Sequence, residues 1–178
     1  MKHIVRTISL LLLIFLIQSA THVYQTAECI YYALFQVPHS NVYKAFFCPD
    51  DHIKKILLGL IHSEKRLILM AVYQITDEDI VDALIAAKKR GVAISIITDV
   101  SCQHMPNGKV AKLRRNKIPV KVYGKPFMIM HNKFYVFGKN INGRPMLWTG
   151  SANATGGGVI RNEENVLITE HPSLIKTY

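Results

Sequence analysis

The sequence predicts an α/β fold, with a mixed but mostly parallel sheet sandwiched between helices. Short apolar and β-branched runs alternate along the chain with segments whose apolar residues recur every three to four positions. Several of the runs are apolar on both faces, which is typical of strands that helices cover on both sides. The 178 residues suffice for one domain of ordinary size. An apolar fraction of 49% excludes a wholly disordered chain.

The first twenty residues have the features of a secretory signal peptide. Lys2 and Arg6 precede an almost purely apolar run over residues 8–17, and Ala20 suits the last position before a cleavage site. The run is shorter than the roughly 20 residues that a membrane span needs. Gln18 is large for its place in such a site, so an uncleaved N-terminal anchor stays open. Export to the periplasm or the medium, or attachment to a membrane through this segment, is expected.

The chain is therefore divided into three parts. Residues 1–20 are the signal peptide or anchor, residues 21–41 a linker, and residues 42–178 the folded domain. A helix starts near His171 and the chain ends at Tyr178, so the C-terminal edge of the domain could be truncated.

The first half of the domain is predicted as strand, helix, strand, helix, strand. Asp50 and Asp51 can cap the first helix and Thr76 the second. The second helix has acidic residues in its first turn and a basic last turn before Gly91, which suits the helix dipole and a glycine stop. The predicted elements are Val42–Phe47, a helix to about Ser63, Arg66–Tyr73, a helix to about Arg90, and Val92–Thr98.

The second half is predicted to contain one basic helix and four strands before the terminal helix. The strands are short and rich in β-branched and aromatic residues. The predicted elements are a helix over Gly108–Asn116 and strands over Val120–Tyr123, Met128–Phe137, Met146–Thr149 and Val166–Thr169.

Candidate chemistry is concentrated between Met130 and Val166. His131 and Lys133 lie two residues apart on a predicted strand, so their side chains share a face. An imidazole and an ammonium on an otherwise apolar strand are costly without partners, and a phosphate would partner both. Further along, a glycine, a hydroxyl and a carboxamide follow a strand end and form a plausible anion cradle, with a carboxylate after them. These residues are Gly150, Ser151, Asn153 and Glu164.

The ordered combination resembles the phospholipase D superfamily. Its signature is His-x-Lys-(x)4-Asp, then Gly-Ser-x-Asn and a later Glu-Asn, which the residues from His131 to Asn165 match with one exception. The similarity extends from Val42 to the end of the chain and is to the single-motif members, the small bacterial endonucleases and mitochondrial cardiolipin hydrolases. The resemblance implies a phospholipase D-like catalytic domain and a phosphodiesterase activity.

The exception is Gly138, which stands where the family usually has aspartate. Glycine has no side chain that accepts a hydrogen bond, and in the family the aspartate is a supporting residue rather than the nucleophile. A catalytically impaired module that still binds phosphate or nucleic acid is therefore an alternative to the active enzyme.

The resemblance also implies a mechanism. His131 would attack phosphorus and form a phosphohistidine, with Lys133 and Asn153 on the non-bridging oxygens and Ser151 and Glu164 positioning phosphate and imidazole. No cofactor and no metal is expected. A second histidine must protonate the leaving group; because His52 and His104 fit poorly, His131 of a two-fold-related subunit is expected to supply it.

The charge suggests an anionic substrate. The chain has 22 Lys and Arg against 12 Asp and Glu, a formal charge of +10. A cluster before the motif, including Lys112, Arg114 and Arg115, could follow a nucleic-acid backbone, so an endonuclease is slightly favoured. The alternative is a phospholipase D acting on a phospholipid such as phosphatidylcholine or cardiolipin, because anionic lipid attracts the same charges. Three cysteines allow one disulfide in an oxidising compartment.

Overall fold

A computed structural model describes residues 15–31 and 43–178 of the chain. Residues 15–31 are helical and are labelled α1. The other elements are β1 (Tyr43–Cys48), α2 (Ile53–Ser63), β2 (Leu67–Val72), α3 (Glu78–Lys89), β3 (Ala93–Asp99), α4 (Val100–His104), α5 (Val110–Arg115), β4 (Val120–Tyr123), β5 (Lys133–Phe137), β6 (Met146–Gly150), β7 (Glu164–Thr169) and α6 (Pro172–Thr177). Short 3₁₀ and π turns cover Ile141–Gly143 and Gly157–Arg161.

The strands form one seven-stranded mixed sheet in the order β1-β7-β6-β5-β2-β3-β4. This confirms the predicted α/β class and the mixed sheet. The predicted bias toward parallel pairing is wrong, because only β2, β3 and β4 run parallel and the other neighbours are antiparallel. The reason lies in the connections. Helices join the parallel strands, whereas short segments without a long helix join β5, β6 and β7 and permit antiparallel neighbours.

Helices α2 and α3 bury their apolar faces in a single core against the sheet. The predicted helix caps differ from the structure. His52 precedes α2 in a left-handed conformation, and the carboxylate of Asp51 instead accepts a hydrogen bond from the backbone N–H of Phe47, 2.7 Å away. Asp77, one residue after the predicted Thr76, caps α3 by accepting a bond from Ile80 N–H.

The strand predicted over Met128–Phe137 is shorter in the structure. Strand β5 begins only at Lys133, and residues 129–132 carry no regular secondary structure. The backbone N–H of Met130 donates to the carboxylate of Asp99 rather than to a neighbouring strand. His131 therefore lies just before the strand and not within it.

The N-terminal helix packs against α2. Cys29 is buried, and Glu28 forms an ion pair with Lys55 at 2.6 Å. Residues 1–14 of the predicted signal segment and residues 32–42 lie outside the described residues, while residues 21–31 of the predicted linker are helical. Among the helices of residues 15–31 and 43–178, none is both long and apolar enough to cross a membrane. The three cysteines are free thiols.

Candidate active site at one edge of the sheet

The ends of the strands gather the candidate residues at one edge of the sheet, called the site edge below. Strands β2, β3 and β4 end there, and the antiparallel register brings the starts of β5 and β7 and the ends of β1 and β6 to the same edge. The residues at these ends are Cys48, Val72, Asp99, Tyr123, Lys133, Gly150 and Glu164. The loops that follow these ends carry the polar side chains.

His131 and Lys133 are in direct contact, although His131 lies before the strand on which both were predicted. The ammonium Nζ of Lys133 lies 2.8 Å from Nδ1 of the His131 ring and donates to the His131 carbonyl oxygen at 2.7 Å. His131 is exposed whereas Lys133 is buried. Burial lowers the pKa of the Lys133 ammonium, and the negative charge of Glu164 acts in the opposite direction. The pair therefore offers an accessible imidazole beside a partly desolvated cation.

An aromatic ring that sequence reasoning did not assign to the site supports this pair. Tyr73, directly after β2, has its ring centroid 4.9 Å from that of His131. The Lys133 ammonium lies 5.6 Å from the Tyr73 ring centroid, within cation–π range. The signal available in the sequence was the position of Tyr73 at the end of a predicted buried strand, next to a loop. Loops often carry functional side chains.

Asp99, at the end of β3, is a second residue that sequence reasoning did not assign. One oxygen of its carboxylate accepts a hydrogen bond from Met130 N–H and the other from Ser101 N–H, both at 2.9 Å. Burial raises the pKa of Asp99, but these hydrogen bonds and the nearby His131 outweigh it, so the pKa lies below the ordinary 3.8. Asp99 thus fixes the backbone one residue before the imidazole.

Asparagine at position 99 is expected to misplace His131 without unfolding the domain. Its amide can accept only one of the two backbone bonds, so we expect kcat on a small phosphodiester to fall about tenfold with KM nearly unchanged. Because the folded pKa of Asp99 is depressed, its contribution to stability is present above the unfolded pKa and lost as pH falls through the folded pKa. The Asp99→Asn variant should not show this loss of stability when its unfolding is followed at falling pH. An unchanged kcat would show that Asp99 does not position His131.

Glu164 holds Ser151 rather than His131 within the chain. The Ser151 hydroxyl donates to one oxygen of the Glu164 carboxylate through a short hydrogen bond, and Asn162 Nδ2 donates to the other at 3.2 Å. The Ser151 oxygen in turn accepts from Asn165 N–H at 3.0 Å. Between Glu164 and His131 the described structure contains no hydrogen bond. The predicted positioning of an imidazole by Glu164 therefore stays a prediction.

Glycine is required before Ser151 by close packing of two backbones. A Cβ atom at Gly150 would lie 2.1 Å from the carbonyl oxygen of Asn165 on β7. The same strand pair is joined by the bond from Ser151 N–H to this carbonyl, at 3.0 Å. The glycine of the Gly-Ser-x-Asn motif therefore lets the loop approach β7 and places the hydroxyl against Glu164.

Asn153 also lies at the site edge, with its amide orientation fixed. Its Oδ1 accepts a hydrogen bond from Gln74 N–H at 3.3 Å, which leaves the Nδ2 group as a donor. A Cβ at Gly158 would lie 2.6 Å from the Asn153 carbonyl oxygen, so the glycine-rich run packs closely behind this residue. Neighbouring strand ends and the loops next to them thus carry the side chains of His131, Lys133, Ser151, Asn153 and Glu164.

The basic cluster predicted before the motif is partly neutralised within the chain. Lys112 forms ion pairs with both Glu78 and Asp82 on α3, the latter at 2.6 Å. Hydrogen bonds from Lys109 and Lys112 lower the pKa of the Glu78 carboxyl to about 2. Lys112 is therefore not a free cation of an open basic surface.

The same cluster leads away from the site edge. Helix α5 starts near this edge, where Lys109 N–H donates to the Ile75 carbonyl, and its last turn lies farther back. Arg114 donates to the carbonyl of Val120, the first residue of β4, at 2.9 Å. Arg115 is exposed in the same last turn. Arg114 and Arg115 thus do not gather around His131.

The Gly138 exception lies at the opposite end of β5. Five residues along an extended strand separate it from Lys133, a distance of about 16 Å. A Cβ at Gly138 would lie 2.9 Å from both Arg66 Nε and Leu67 Cβ. The absence of the usual aspartate therefore changes a remote turn and leaves the surroundings of His131 intact.

His52 and His104, the other histidines considered as a second proton carrier, lie on segments outside the motif. His52 precedes α2, and His104 is exposed at the end of α4. In residues 15–31 and 43–178, no group of three or more His, Cys, Asp or Glu side chains is arranged to hold a metal ion.

The comparison with protein families assigns this fold and motif to a known class. Residues 57–178 match the family described as "Cardiolipin synthase, PLD-like domain". The chain belongs to the phospholipase D superfamily, and it is a phosphodiesterase of that family.

Two curated relatives and one solved structure illustrate the similarity. Phospholipase D of Rickettsia prowazekii is 31% identical over 163 residues, covering 92% of this chain and 76% of the relative. Mitochondrial cardiolipin hydrolase of Danio rerio is 29% identical over 136 residues, covering 74% of this chain and 57% of that protein. The crystal structure of the phospholipase D family member Nuc from Salmonella typhimurium has a TM-score of 0.66 and 28% identity, covering 76% of this chain and 88% of Nuc.

Proposed function

We propose that this phosphodiesterase works through a covalent phosphohistidine on His131. The observation that carries the proposal is the accessible imidazole in contact with the buried Lys133 ammonium, 2.8 Å away. A neutral imidazole is a competent nucleophile near neutral pH and needs no metal to activate it. Lys133 and Asn153 offer N–H donors to the non-bridging oxygens, on which negative charge develops in the transition state.

The contact between Lys133 and His131 implies that substrate binds before the imidazole is ready to attack. The ammonium can donate to Nδ1 only by engaging the lone pair of that nitrogen. A phosphate that takes over the hydrogen bonds of Lys133 would release this lone pair. Substrate binding would thereby prepare the imidazole for attack.

The reaction then proceeds in two displacements. The imidazole lone pair of His131 forms a P–N bond while the P–O ester bond breaks, and a second imidazolium donates its proton to the leaving alkoxide. In the second displacement this imidazole takes a proton from water, the water oxygen bonds to phosphorus, and the P–N bond breaks. Both histidines return to their starting protonation states.

We propose that the second imidazole is His131 of another copy of the chain. The complete motif occurs once in the sequence, whereas the reaction needs two imidazoles. A two-fold interface places two copies of one residue opposite each other, so a homodimer would complete the site. It would also bring the Glu164 carboxylate of one subunit to the other subunit's imidazole.

Mixed dimers test this proposal. If both imidazoles are needed, a dimer with one His131→Asn chain is inactive, and an equal mixture of wild-type and variant chains retains about one quarter of the activity rather than one half. The measurement is the initial rate of phosphodiester hydrolysis after co-refolding the two chains at varied ratios. Sedimentation velocity of the wild type supplies the control. A linear decline with the wild-type fraction would contradict the shared site.

We also propose that the domain acts outside the cytoplasm. The support is the sequence of the first twenty residues, with Lys2, Arg6 and the apolar run over residues 8–17. N-terminal sequencing of the natural protein would distinguish cleavage near Ala20 from a retained anchor. A cytoplasmic protein that keeps Met1 would contradict both versions.

The contacts of the basic cluster bear on the choice between nucleic acid and phospholipid as the substrate. The preference for nucleic acid depended on the basic cluster before the motif. In that cluster Lys112 is ion-paired and Arg114 bonds to a carbonyl of its own chain, whereas Lys121 and Lys125 are exposed. Lys112 and Arg114 therefore do not offer free cations to a nucleic-acid backbone beside His131. The alternative substrate is a phospholipid. Two relatives of the chain, a phospholipase D and a mitochondrial cardiolipin hydrolase, are named for activity on lipids.

A further inference from the structure

The loop between β4 and β5 exposes an unusual run of apolar side chains. Met128 N–H donates to the Lys125 carbonyl at 3.2 Å and closes a tight turn with Pro126 and Phe127 at its end. Phe127 is fully exposed, and Met128 and Ile129 are 58% and 63% exposed. Residues 126–129 are called the apolar tip below. Contiguous exposed apolar surface of this kind is typical of sites that contact a partner or a membrane.

The backbone of the apolar tip is also strained. Phe127 has a φ of 62°, in the left-handed region that aromatic residues rarely adopt. Such conformations persist where the surrounding structure imposes them and occur often at functional sites. Here the strained residue is also the one whose side chain is fully exposed.

The apolar tip is tied directly to the active site. The residue that follows it, Met130, is buried and is held by the carboxylate of Asp99, and His131 comes next. Three residues lie between Phe127 and His131, so their Cα atoms lie within about 14 Å of each other. A surface entered by the tip would therefore place its outermost phosphates near the imidazole.

The exposed charged side chains that lie nearest the apolar tip in the sequence are basic. Lys121, on β4, and Lys125, directly before the tip, are both exposed. The sequence contains no aspartate or glutamate between Asp99 and Glu163. An apolar tip with flanking lysines is the combination that favours an anionic lipid surface, since the lysines attract the headgroups and the apolar side chains enter the acyl boundary.

We propose that the apolar tip inserts into an anionic phospholipid bilayer and presents headgroup phosphates to His131. The inference rests on the proposed phosphodiesterase function and names phospholipid in a membrane as its substrate. Insertion buries Phe127, Met128 and Ile129 in the acyl boundary. Lys121 and Lys125 then lie at headgroup level, where Lys133 can bind a phosphate.

Two other occupants fit the loop less well. A nucleic acid could stack a base on Phe127, but Met128 and Ile129 offer no aromatic face for neighbouring bases. A second copy of the chain seated on the tip would meet it with the same patch, which carries the same positive charges of Lys121 and Lys125. Both occupants are distinguished from a bilayer by the experiment below.

The first test uses the variant Phe127→Trp, whose readout is local to the tip. The natural sequence has a single tryptophan, Trp148, which is buried and does not report on the loop. With vesicles of phosphatidylglycerol and phosphatidylcholine, we expect a blue shift of the emission and quenching by brominated lipid. The same result is expected in the inactive His131→Asn background, because insertion does not require catalysis. Membrane contact through residues 8–17 alone would not change this signal.

The second test removes the apolar side chains while leaving the chemistry in place. The triple variant Phe127→Ser, Met128→Ser, Ile129→Ser should hydrolyse lipid in the same vesicles at least tenfold more slowly than the wild type. Its rate on a soluble chromogenic phosphodiester should be unchanged. A matched control replaces two exposed apolar residues on the sheet, Leu69→Thr with Ile97→Thr, and should leave both rates unchanged.

The outcomes separate this inference from the proposed function. A Trp signal that vesicles leave unchanged would overturn the inference, as would a signal that responds to single-stranded DNA or to protein concentration instead of vesicles. Equal loss of vesicle and soluble activity in the triple variant would also overturn it. If the wild type hydrolyses no phosphodiester but Phe127→Trp still inserts, the proposed function fails and membrane insertion stands.

Discussion

Replacing His131 with asparagine is expected to lower the rate of phosphodiester hydrolysis by a factor on the order of 10⁴. An asparagine amide cannot form the P–N bond, but its oxygen can still accept a hydrogen bond from Lys133. Because the His131 side chain is exposed, its loss should hardly alter the free energy of unfolding. The measurement is the initial rate on bis(4-nitrophenyl) phosphate in excess chelator, together with thermal unfolding of both proteins.

Trapping of the proposed covalent intermediate would give direct evidence that His131 is the nucleophile. Rapid quenching of the wild type during turnover should trap phosphate on His131 in a form that acid hydrolyses and base preserves. The matched control is His104→Asn, which changes an exposed histidine at the end of α4 and should keep full activity. Full activity in the His131→Asn protein, or a trapped phosphate at another residue, would exclude His131 as the nucleophile.

The order of strands and helices was predictable because each element has a local signal. Helix α3, for example, has acidic residues in its first turn, Lys88 and Lys89 in its last turn, and Gly91 after it with a φ of 94°. Strand pairing has no such signal. Whether β5 joins β2 parallel or antiparallel depends on how the chain returns to the sheet, and the sequence does not encode that in any single residue.

The site was predictable where the chemistry lies within a short motif and unpredictable where it comes from distant segments. His131 and Lys133 meet because only one residue lies between them in the chain. Tyr73 and Asp99 reach the same place from β2 and β3, which only the sheet register aligns. The ion pairs of Lys112 with α3 were hidden for the same reason, so a cluster that is basic in sequence is partly neutral in space.

Glu64 supplies a buried carboxylate at the end of β5 where the family motif usually has its aspartate. Its Oε1 accepts hydrogen bonds from the backbone N–H groups of Arg66 at 2.8 Å, Leu67 at 3.0 Å and Lys139 at 2.8 Å. Its Oε2 accepts from Asn140 Nδ2 at 3.1 Å. One side chain therefore joins the start of β2 to the turn after β5, on the far side of the sheet from the site edge.

Removal of this carboxylate is expected to have the largest effect on stability. In Glu64→Ala, several buried donors lose their acceptor together, so the free energy of unfolding should fall by about 4 kcal/mol. Glu64→Gln keeps one oxygen for the backbone groups and should lose roughly half as much. The exposed Glu163→Ala variant is the matched control and should lie within about 0.5 kcal/mol of the wild type. Urea unfolding of the four proteins gives these values.

The variant Gly138→Asp decides whether Glu64 has taken over the role of the family aspartate. If Gly138 impairs the enzyme, an aspartate there should raise activity. If Glu64 already anchors this turn, the added Cβ meets Arg66 and Leu67 at 2.9 Å, so stability should fall by about 2 kcal/mol without a gain in kcat. Glu64→Ala should likewise leave kcat per folded molecule unchanged, since about 16 Å of strand separates the turn from Lys133. A rise in kcat for Gly138→Asp, or a fall in kcat for Glu64→Ala at full folding, would show that this remote turn controls the chemistry of His131.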